Sequence, residues 1–224
     1  MSLILNIDTA VDAASVCLAK DGEGLQLATN ENQKDHASWL HVAIAKIIKE
    51  EGFVMADLQA VAVSIGPGSY TGLRIGLSTA KGLCYALNIP LIAIGTLEMM
   101  AFAAKNEEGG LICPIIDARR MEVFTAIYDK KLKPVIEPQA MLLNENSFAE
   151  FLSSNRIVFL GNGSNKLRSI ISNNNAFFSS TKANASHLAQ LSNKNFVKKE
   201  FADLAYTQPL YLKEFYSPAR KTEP

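Results

Sequence analysis

At 224 residues the chain can form one large domain or two small lobes, each with its own core. Hydrophobic residues make up 48% and charged residues 20%, an ordinary balance for a globular protein. The 22 Lys and Arg against 22 Asp and Glu give zero net charge, which argues against a protein that grips nucleic acid by itself, since phosphate neutralisation supplies most of that affinity.

The opening stretch, Met1 to Asp8, has no basic region followed by a long apolar run, so no signal peptide is expected. No run of about 18 apolar residues is present, and no membrane contact is expected. Cys17, Cys84 and Cys113 are far apart and set in apolar runs, as buried free thiols of a cytoplasmic protein would be.

Read in chain order, the sequence repeats one plan. The apolar run Leu3–Ile7 stops at Asp8, and Ala14–Ala19 and Leu25–Ala28 follow as two further short runs. A helical pattern over Ala37–Glu51 has Leu40, Ile44, Ile47 and Ile48 on one face, Asp35 as its expected N-cap and Gly52 in the C′ position. The run Ala60–Ile65 then enters a glycine loop, Gly66 to Gly72, which opens a helix over Tyr70–Leu87. The second copy begins at Leu111–Ile116, stops at Asp117, turns through Ala118-Arg119-Arg120 and continues with Met121–Tyr128 and a run within Pro134–Leu143. A short helix over Ser147–Leu152, the run Ile157–Leu160 and a second glycine loop, Gly161 to Asn165, complete it. Two copies of strand–strand–strand–helix–strand–helix predict two duplicated α/β lobes with mixed sheets. The boundaries are set at 1–107 and 108–212, with a loosely ordered tail over 213–224.

The first glycine loop is the most informative segment. Glycines allow tight turns and close backbone approach, and a helix start offers N–H groups to an anion. The spacing of Gly66, Gly68 and Gly72 is neither a dinucleotide fingerprint nor a Walker A loop, because Leu73 stands where that motif has lysine. A plain tight turn is the competing reading. Asp8, Thr9, Gly66, Gly68, Ser69, Thr71 and Gly72 together form the candidate phosphate-loop-like site. Arg74 is a cation in the first helical turn, mildly unfavourable against the dipole, and calls for a nearby anion unless it is solvated. Asp8 ends a strand at the point where sugar-kinase, Hsp70 and actin-like folds place an acid facing a metal-bound phosphate, and Asp117 mirrors it. A salt bridge to Arg119 or Arg120 is expected beside Asp117.

No metal site and no catalytic set is expected. His36 and His41 lie five apart, roughly 140° from a shared helix face, and the position that would share the face of His36 is Leu40. Neither a zinc-protease motif nor a nucleophile elbow occurs. The long helix carries Leu73, Leu77, Ala80, Cys84 and Leu87 on one stripe and Ile75, Gly76, Thr79, Gly82 and Ala86 on another. A helix apolar or small on several sides is buried on more than one side. Trp39, Tyr70, Leu73, Arg74, Gly76, Leu77 and Ala80 are accordingly the candidate partner interface, with a helix simply sandwiched within its own domain as the competing reading.

The segment Ser64 to Gly76, reading Ser-Ile-Gly-Pro-Gly-Ser-Tyr-Thr-Gly-Leu-Arg-Ile-Gly, resembles the signature of the TsaB family, also called YeaZ. Ile7-Asp8-Thr9, His36, Asp117 to Val123, and Pro209-x-Tyr211-Leu212 match further, while residues 130–205 match only in outline. The resemblance implies a two-lobed fold of the actin, Hsp70 and sugar-kinase (ASKHA, ribonuclease H-like) type. It implies a non-catalytic scaffold for TsaD, working with TsaD and the ATPase TsaE in threonylcarbamoyl transfer to the adenosine beside a tRNA anticodon. It further implies a homodimer when isolated and only indirect contact with tRNA. It gives the chain no cofactor of its own and leaves open ATP or ADP at the complex interface. The family's M22 glycoprotease label follows from its paralogue, whose metal pair His-x-x-x-His reads His36 and Leu40 here. A small-molecule ATP-dependent kinase of the same fold and a peptidase are the rival readings.

Overall fold

The computed structural model describes residues 2–32 and 35–213. In the first half, β1 (Leu3–Asp8), β2 (Ala14–Lys20) and β3 (Glu23–Asn30) form an antiparallel meander, to which β4 (Ala60–Ser64) and β5 (Leu91–Ile94) add in parallel. The order is β3-β2-β1-β4-β5. Helices α1 (His36–Glu50), α2 (Tyr70–Leu87) and α3 (Thr96–Ala103) connect or follow these strands. The second half repeats the topology with β6 (Leu111–Asp117), β7 (Glu122–Asp129), β8 (Pro134–Leu142), β9 (Ile157–Leu160) and β10 (Ala176–Phe178), in the order β10-β9-β6-β7-β8. Short α4 (Ala149–Leu152), α5 (Ser164–Arg168) and a longer α6 (Ala185–Lys198) complete it. The expected duplication of two lobes with mixed sheets is therefore present, strand for strand.

Burial follows the two-residue period of the strands. On the first sheet, Leu3, Leu5, Ile7, Val61 and Val63 pack in one core with Leu40, Ile44 and Ile47 of α1 and Leu77, Ala80 and Cys84 of α2. Their neighbours Ile4, Ala60, Ala62, Ile92 and Ile94 turn to the other face and meet Leu188 and Leu191 of α6. The second sheet is also covered twice, by α4 and α5 through Leu152 and Leu167, and by α3 through Leu97, Met100 and Ala101. Central strands of a mixed sheet need cover on both faces, because each exposes an apolar row in each direction.

The source of that cover departs from the expected division by residue number. Helix α6, from the second half of the chain, covers the first sheet, and α3, from the first half, covers the second. Met99 of α3 joins Leu188 and Leu191 of α6 in one core, so the two halves interlock. The chain also returns to the first lobe beyond α6. Ala202 bridges Leu91 of β5, and Leu210 N–H donates to Ile65 C=O at 2.7 Å. The tail expected to be loosely ordered lies outside the described residues from 214 onward.

Candidate functional site

Strand β1 delivers Asp8 and Thr9 to the foot of α2. Asp8 is 1% exposed. Its Oδ1 accepts from Ser64 Oγ at 2.5 Å and from Ala10 N–H at 3.1 Å. Its Oδ2 is buried with no hydrogen-bond partner among the described residues. Burial pushes the carboxyl above the usual range, against the pull of the Ser64 and Ala10 bonds. An acid aimed at a bound phosphate would instead open onto a cavity.

The glycine loop is pressed onto the same turn. A Cβ on Gly68 would lie 2.2 Å from Ala10 O, and one on Gly72 would lie 2.0 Å from Thr9 O. Gly76, one turn along α2, would place its Cβ 2.4 Å from Thr9 Oγ1. Gly68 and Gly72 therefore serve close approach of backbone to backbone, and Gly76 admits the Thr9 hydroxyl. Several polar groups are bonded in and around the same contact. Ser69 N–H donates to Ala10 O at 2.6 Å, Thr9 Oγ1 to Gly72 O at 2.7 Å, Gly72 N–H to Ser69 Oγ at 3.2 Å, and Leu73 N–H to Ser69 O at 2.8 Å. Gly66, at φ +121°, exchanges hydrogen bonds with Thr96 through its N–H at 3.1 Å and its C=O at 2.8 Å. Of the seven residues in the phosphate-loop-like set, Ser69 and Thr71 are the exposed ones. At this helix start the N–H groups of Ser69, Gly72 and Leu73 are bonded within the fold, which weakens the case for a phosphate there.

Arg74 is exposed and is packed against two tyrosines. Its guanidinium lies 4.0 Å over the Tyr70 ring, its Nε donates to Tyr211 Oη at 3.0 Å, and Tyr70 and Tyr211 stack with centroids 5.1 Å apart. The π faces supply the negative potential that the helix start lacks. This also gives the Tyr211 end of the C-terminal motif a role: it closes over the glycine loop. The expected arginine salt bridge of Asp117 is formed by Lys166 instead, Nζ to Oδ1 at 2.6 Å, while Arg119 gives only its backbone N–H at 2.6 Å. Burial works against ionisation of Asp117, but these partners hold it below the usual carboxylate range.

The expected partner interface divides in two. Leu73, Leu77 and Ala80 are 1%, 4% and 0% exposed, and Gly76 is buried against Thr9. These four face their own sheet and are not available to a partner. The stripe that resembled a docking seam is the ordinary core face of α2. Tyr70 and Trp39 are half-buried and Arg74 is exposed, so these three stay at the surface. The outer side of α2 adds Ile75, Ser78, Gly82 and Tyr85, with Tyr85 82% exposed and open space around Gly82. Val42 of α1 is 68% exposed. Tyr85 and Val42 were missed because single apolar residues on a helix surface carry no periodic signal.

His36 is buried and burial lowers its pKa, Leu40 one turn on is in the core, and His41 is exposed. The described residues hold no group of three or more His, Cys, Asp or Glu arranged for a metal ion. The three thiols are buried, and burial pushes Cys17 and Cys84 up to about 11 and Cys113 up to about 12. Between the lobes lies a cleft of about 660 Å³, crossed at one end by Asn162 Nδ2 donating to the Asp12 carboxylate at 2.9 and 3.1 Å.

Two interlocked lobes of one topology, with a glycine loop between β4 and α2, define a protein of the actin, Hsp70 and sugar-kinase (ASKHA) class. Residues 28–217 match the family model described as TsaD: tRNA N6-adenosine threonylcarbamoyltransferase. A Bacillus subtilis protein named tRNA threonylcarbamoyladenosine biosynthesis protein TsaB is 34% identical over 143 residues, 62% of this chain and 62% of that one. The Escherichia coli protein of the same name is 36% identical over 128 residues, 57% of this chain and 55% of that one. These matches thus span little more than half of either relative. A solved structure described as similar to the peptidase YeaZ from Pseudomonas aeruginosa superposes with a TM-score of 0.85 at 24% identity, covering 95% of this chain and 100% of its own. The chain belongs to the family that this TsaD model describes, and the relatives it resembles include proteins named TsaB.

Proposed function

We propose that the chain is a non-catalytic scaffold subunit in tRNA threonylcarbamoyladenosine synthesis, supporting TsaD in threonylcarbamoyl transfer to the adenosine beside the anticodon, with TsaE as the third member. The observation that carries this reading is the closed glycine loop. The segment that could cradle a phosphate is packed against Thr9 and Ala10, and its Ser69, Gly72 and Leu73 N–H groups are bonded within the fold. Asp8 is sealed beneath it. A fold kept while its loop becomes packing is what a scaffold would retain. The family membership and the names of the relatives supply the pathway.

Partner contact in this reading uses the outer surface of α1 and α2: Trp39, Val42, Arg74, Ile75, Gly82 and Tyr85. A homodimer would use the same surface in the isolated chain, and tRNA would be reached through the complex. The test is sedimentation of the chain with TsaD from the same organism, for the parent and for Gly82→Gln, which adds bulk where a Cβ meets open space. The reading expects a complex for the parent and weakened assembly for the variant at unchanged circular dichroism. A parent that neither binds TsaD nor supports transfer would remove the scaffold reading.

The inter-lobe cleft of about 660 Å³ favours one rival, a small-molecule kinase of the same fold. That reading requires ATP turnover by the isolated chain, measurable as ADP release with candidate sugars.

A further inference from the structure

The cleft between the lobes sorts its charges by wall. Of the charged residues lining it, Asp12 and Glu31 come from the first lobe, and Arg168 and Lys182 from the second. All four are exposed. Glu31 and Lys182 make no hydrogen bond or ion pair with another described residue. The segments that carry them are nonetheless pinned. Asn32 N–H donates to Asn30 Oδ1 at 2.9 Å, which fixes the turn at Glu31. Ser179 Oγ and Thr181 Oγ1 both donate to Glu107 Oε1 at 2.5 Å, and Thr181 N–H donates to Ser179 Oγ at 2.9 Å. The stretch that bears Ser180 and Lys182 is thereby tied to the linker between the lobes. Arg168 lies 4.8 Å over the Phe178 ring and donates from Nη2 to Phe178 O at 3.3 Å. That contact holds the guanidinium in place while using few of its N–H donors.

At about 660 Å³ the cleft has an ordinary size for a small-molecule site. Its chemistry suits a polyphosphate poorly. The second glycine loop, at its edge, is packed much as the first is. Gly163 N–H donates to Ile115 O and Ser164 N–H to Gly161 O, both at 3.1 Å, and a Cβ on Gly161 would lie 2.4 Å from Ile115 O. The carboxylates of the opposite wall would repel a multiply charged anion. A ligand that satisfies both walls carries a cation at one end and an anion at the other. Its middle can lie against Val11, Met100 and Ala183, and the side chains of Asn165 and Ser180 offer it hydrogen bonds.

We propose that the inter-lobe cleft binds a zwitterion of the amino-acid or short-peptide class, with its ammonium on the Glu31 wall and its carboxylate on Arg168 and Lys182. A guanidinium fork matches a carboxylate, and charge-assisted bonds at both ends select for a molecule that bears both charges. A free amino acid and a short peptide present the same pair of groups. The site shares no residue with the α1–α2 surface, so it stands or falls independently of the scaffold reading.

The test is calorimetric titration of the full chain with L-alanine, with tri-L-alanine, and with tri-alanine blocked at one end by N-acetylation or by amidation. Binding of alanine or of the tripeptide is expected, and the tighter of the two identifies the source. Each blocked tripeptide should bind at least tenfold more weakly than the free one where the tripeptide is the ligand. Where alanine is the ligand, N-acetylalanine and alanine amide should show the same loss. Arg168→Gln and Glu31→Gln change exposed side chains and should melt like the parent. Arg168→Gln should weaken the free zwitterion at least tenfold and erase the penalty for amidation. Glu31→Gln should erase the penalty for acetylation, and Lys182→Gln should act as Arg168→Gln does. The proposal is overturned if neither alanine nor the tripeptide binds, if blocking either end leaves affinity unchanged, or if the variants bind as the parent does. Displacement of the bound zwitterion by ADP at equal concentration would assign the cleft to phosphate and overturn it equally.

Discussion

Gly68→Ala adds one methyl group at the tightest point of the molecule. Its Cβ would lie 2.2 Å from Ala10 O and 2.9 Å from Ala10 C, both backbone atoms. Relief requires the loop and the β1–β2 turn to separate by about 1 Å, since ordinary contacts begin near 3.3 Å. Separation on that scale breaks the 2.6 Å bond from Ser69 N–H to Ala10 O. Overpacking costs about 1–3 kcal/mol, and the lost hydrogen bond about 1 kcal/mol more. A total of roughly 2–4 kcal/mol lowers the melting temperature by roughly 5–15 °C for a chain of this length. Gly82→Ala is the matched control. Gly82 sits in the interior of the same helix with nothing within 4 Å of an added Cβ, so alanine should stabilise by about 0.5–1 kcal/mol. Both variants are measured by thermal and urea unfolding followed by circular dichroism. A Gly68→Ala protein that melts within a degree of the parent would refute the closed loop, and with it the argument against a phosphate cradle.

Three further outcomes follow from the same geometry. Asp8→Asn should be neutral or stabilising at pH 7: a carboxyl whose folded pKa is raised contributes stability below its unfolded value, near 3.9, and loses it as pH rises through the folded value, so the gain should vanish near pH 4 in urea titrations. His187 Nδ1 accepts from Asn184 N–H at 3.1 Å in the capping box of α6, and burial lowers its pKa, as it does for His36. Stability from these groups is complete above the unfolded value near 6.5 and is lost as pH falls through the folded value, by up to about 1.4 kcal/mol per pH unit for each histidine; His187→Gln should keep the cap and flatten the profile. Leu77→Glu should fail to fold, because it buries a carboxylate against β4 and α1 at a cost of several kcal/mol, while Tyr85→Glu should fold like the parent; a soluble, cooperatively melting Leu77→Glu protein would reverse the assignment of the α2 faces.

Much of the fold was legible because its signals are local. The run Ile157–Leu160 and the helix Tyr70–Leu87 are found at the expected residues, and Gly52 takes a left-handed φ of 76° just past α1. The exchange of α3 and α6 between the lobes was not legible. Periodicity reports that a helix has an apolar face but not which sheet receives it, and Leu188 and Leu191 would fit either. The site was half legible for a related reason. Glycine spacing announced a close approach at Gly68 and Gly72, but a close approach to a ligand and one to Thr9 and Ala10 read alike in sequence. The α2 stripes misled because a helix against a sheet and a helix against a partner show the same apolar and small residues, and only burial separates Leu77 from Tyr85.

The scaffold account is tested most directly by reconstituting threonylcarbamoyl transfer to tRNA from TsaD, TsaE and this chain, with ATP and the threonylcarbamoyl adenylate supplied. The account predicts no transfer from this chain alone, little from TsaD and TsaE without it, and a yield that rises with added chain to a fixed stoichiometric ratio. Transfer that reaches its full rate without the chain, or transfer catalysed by the chain by itself, would contradict it.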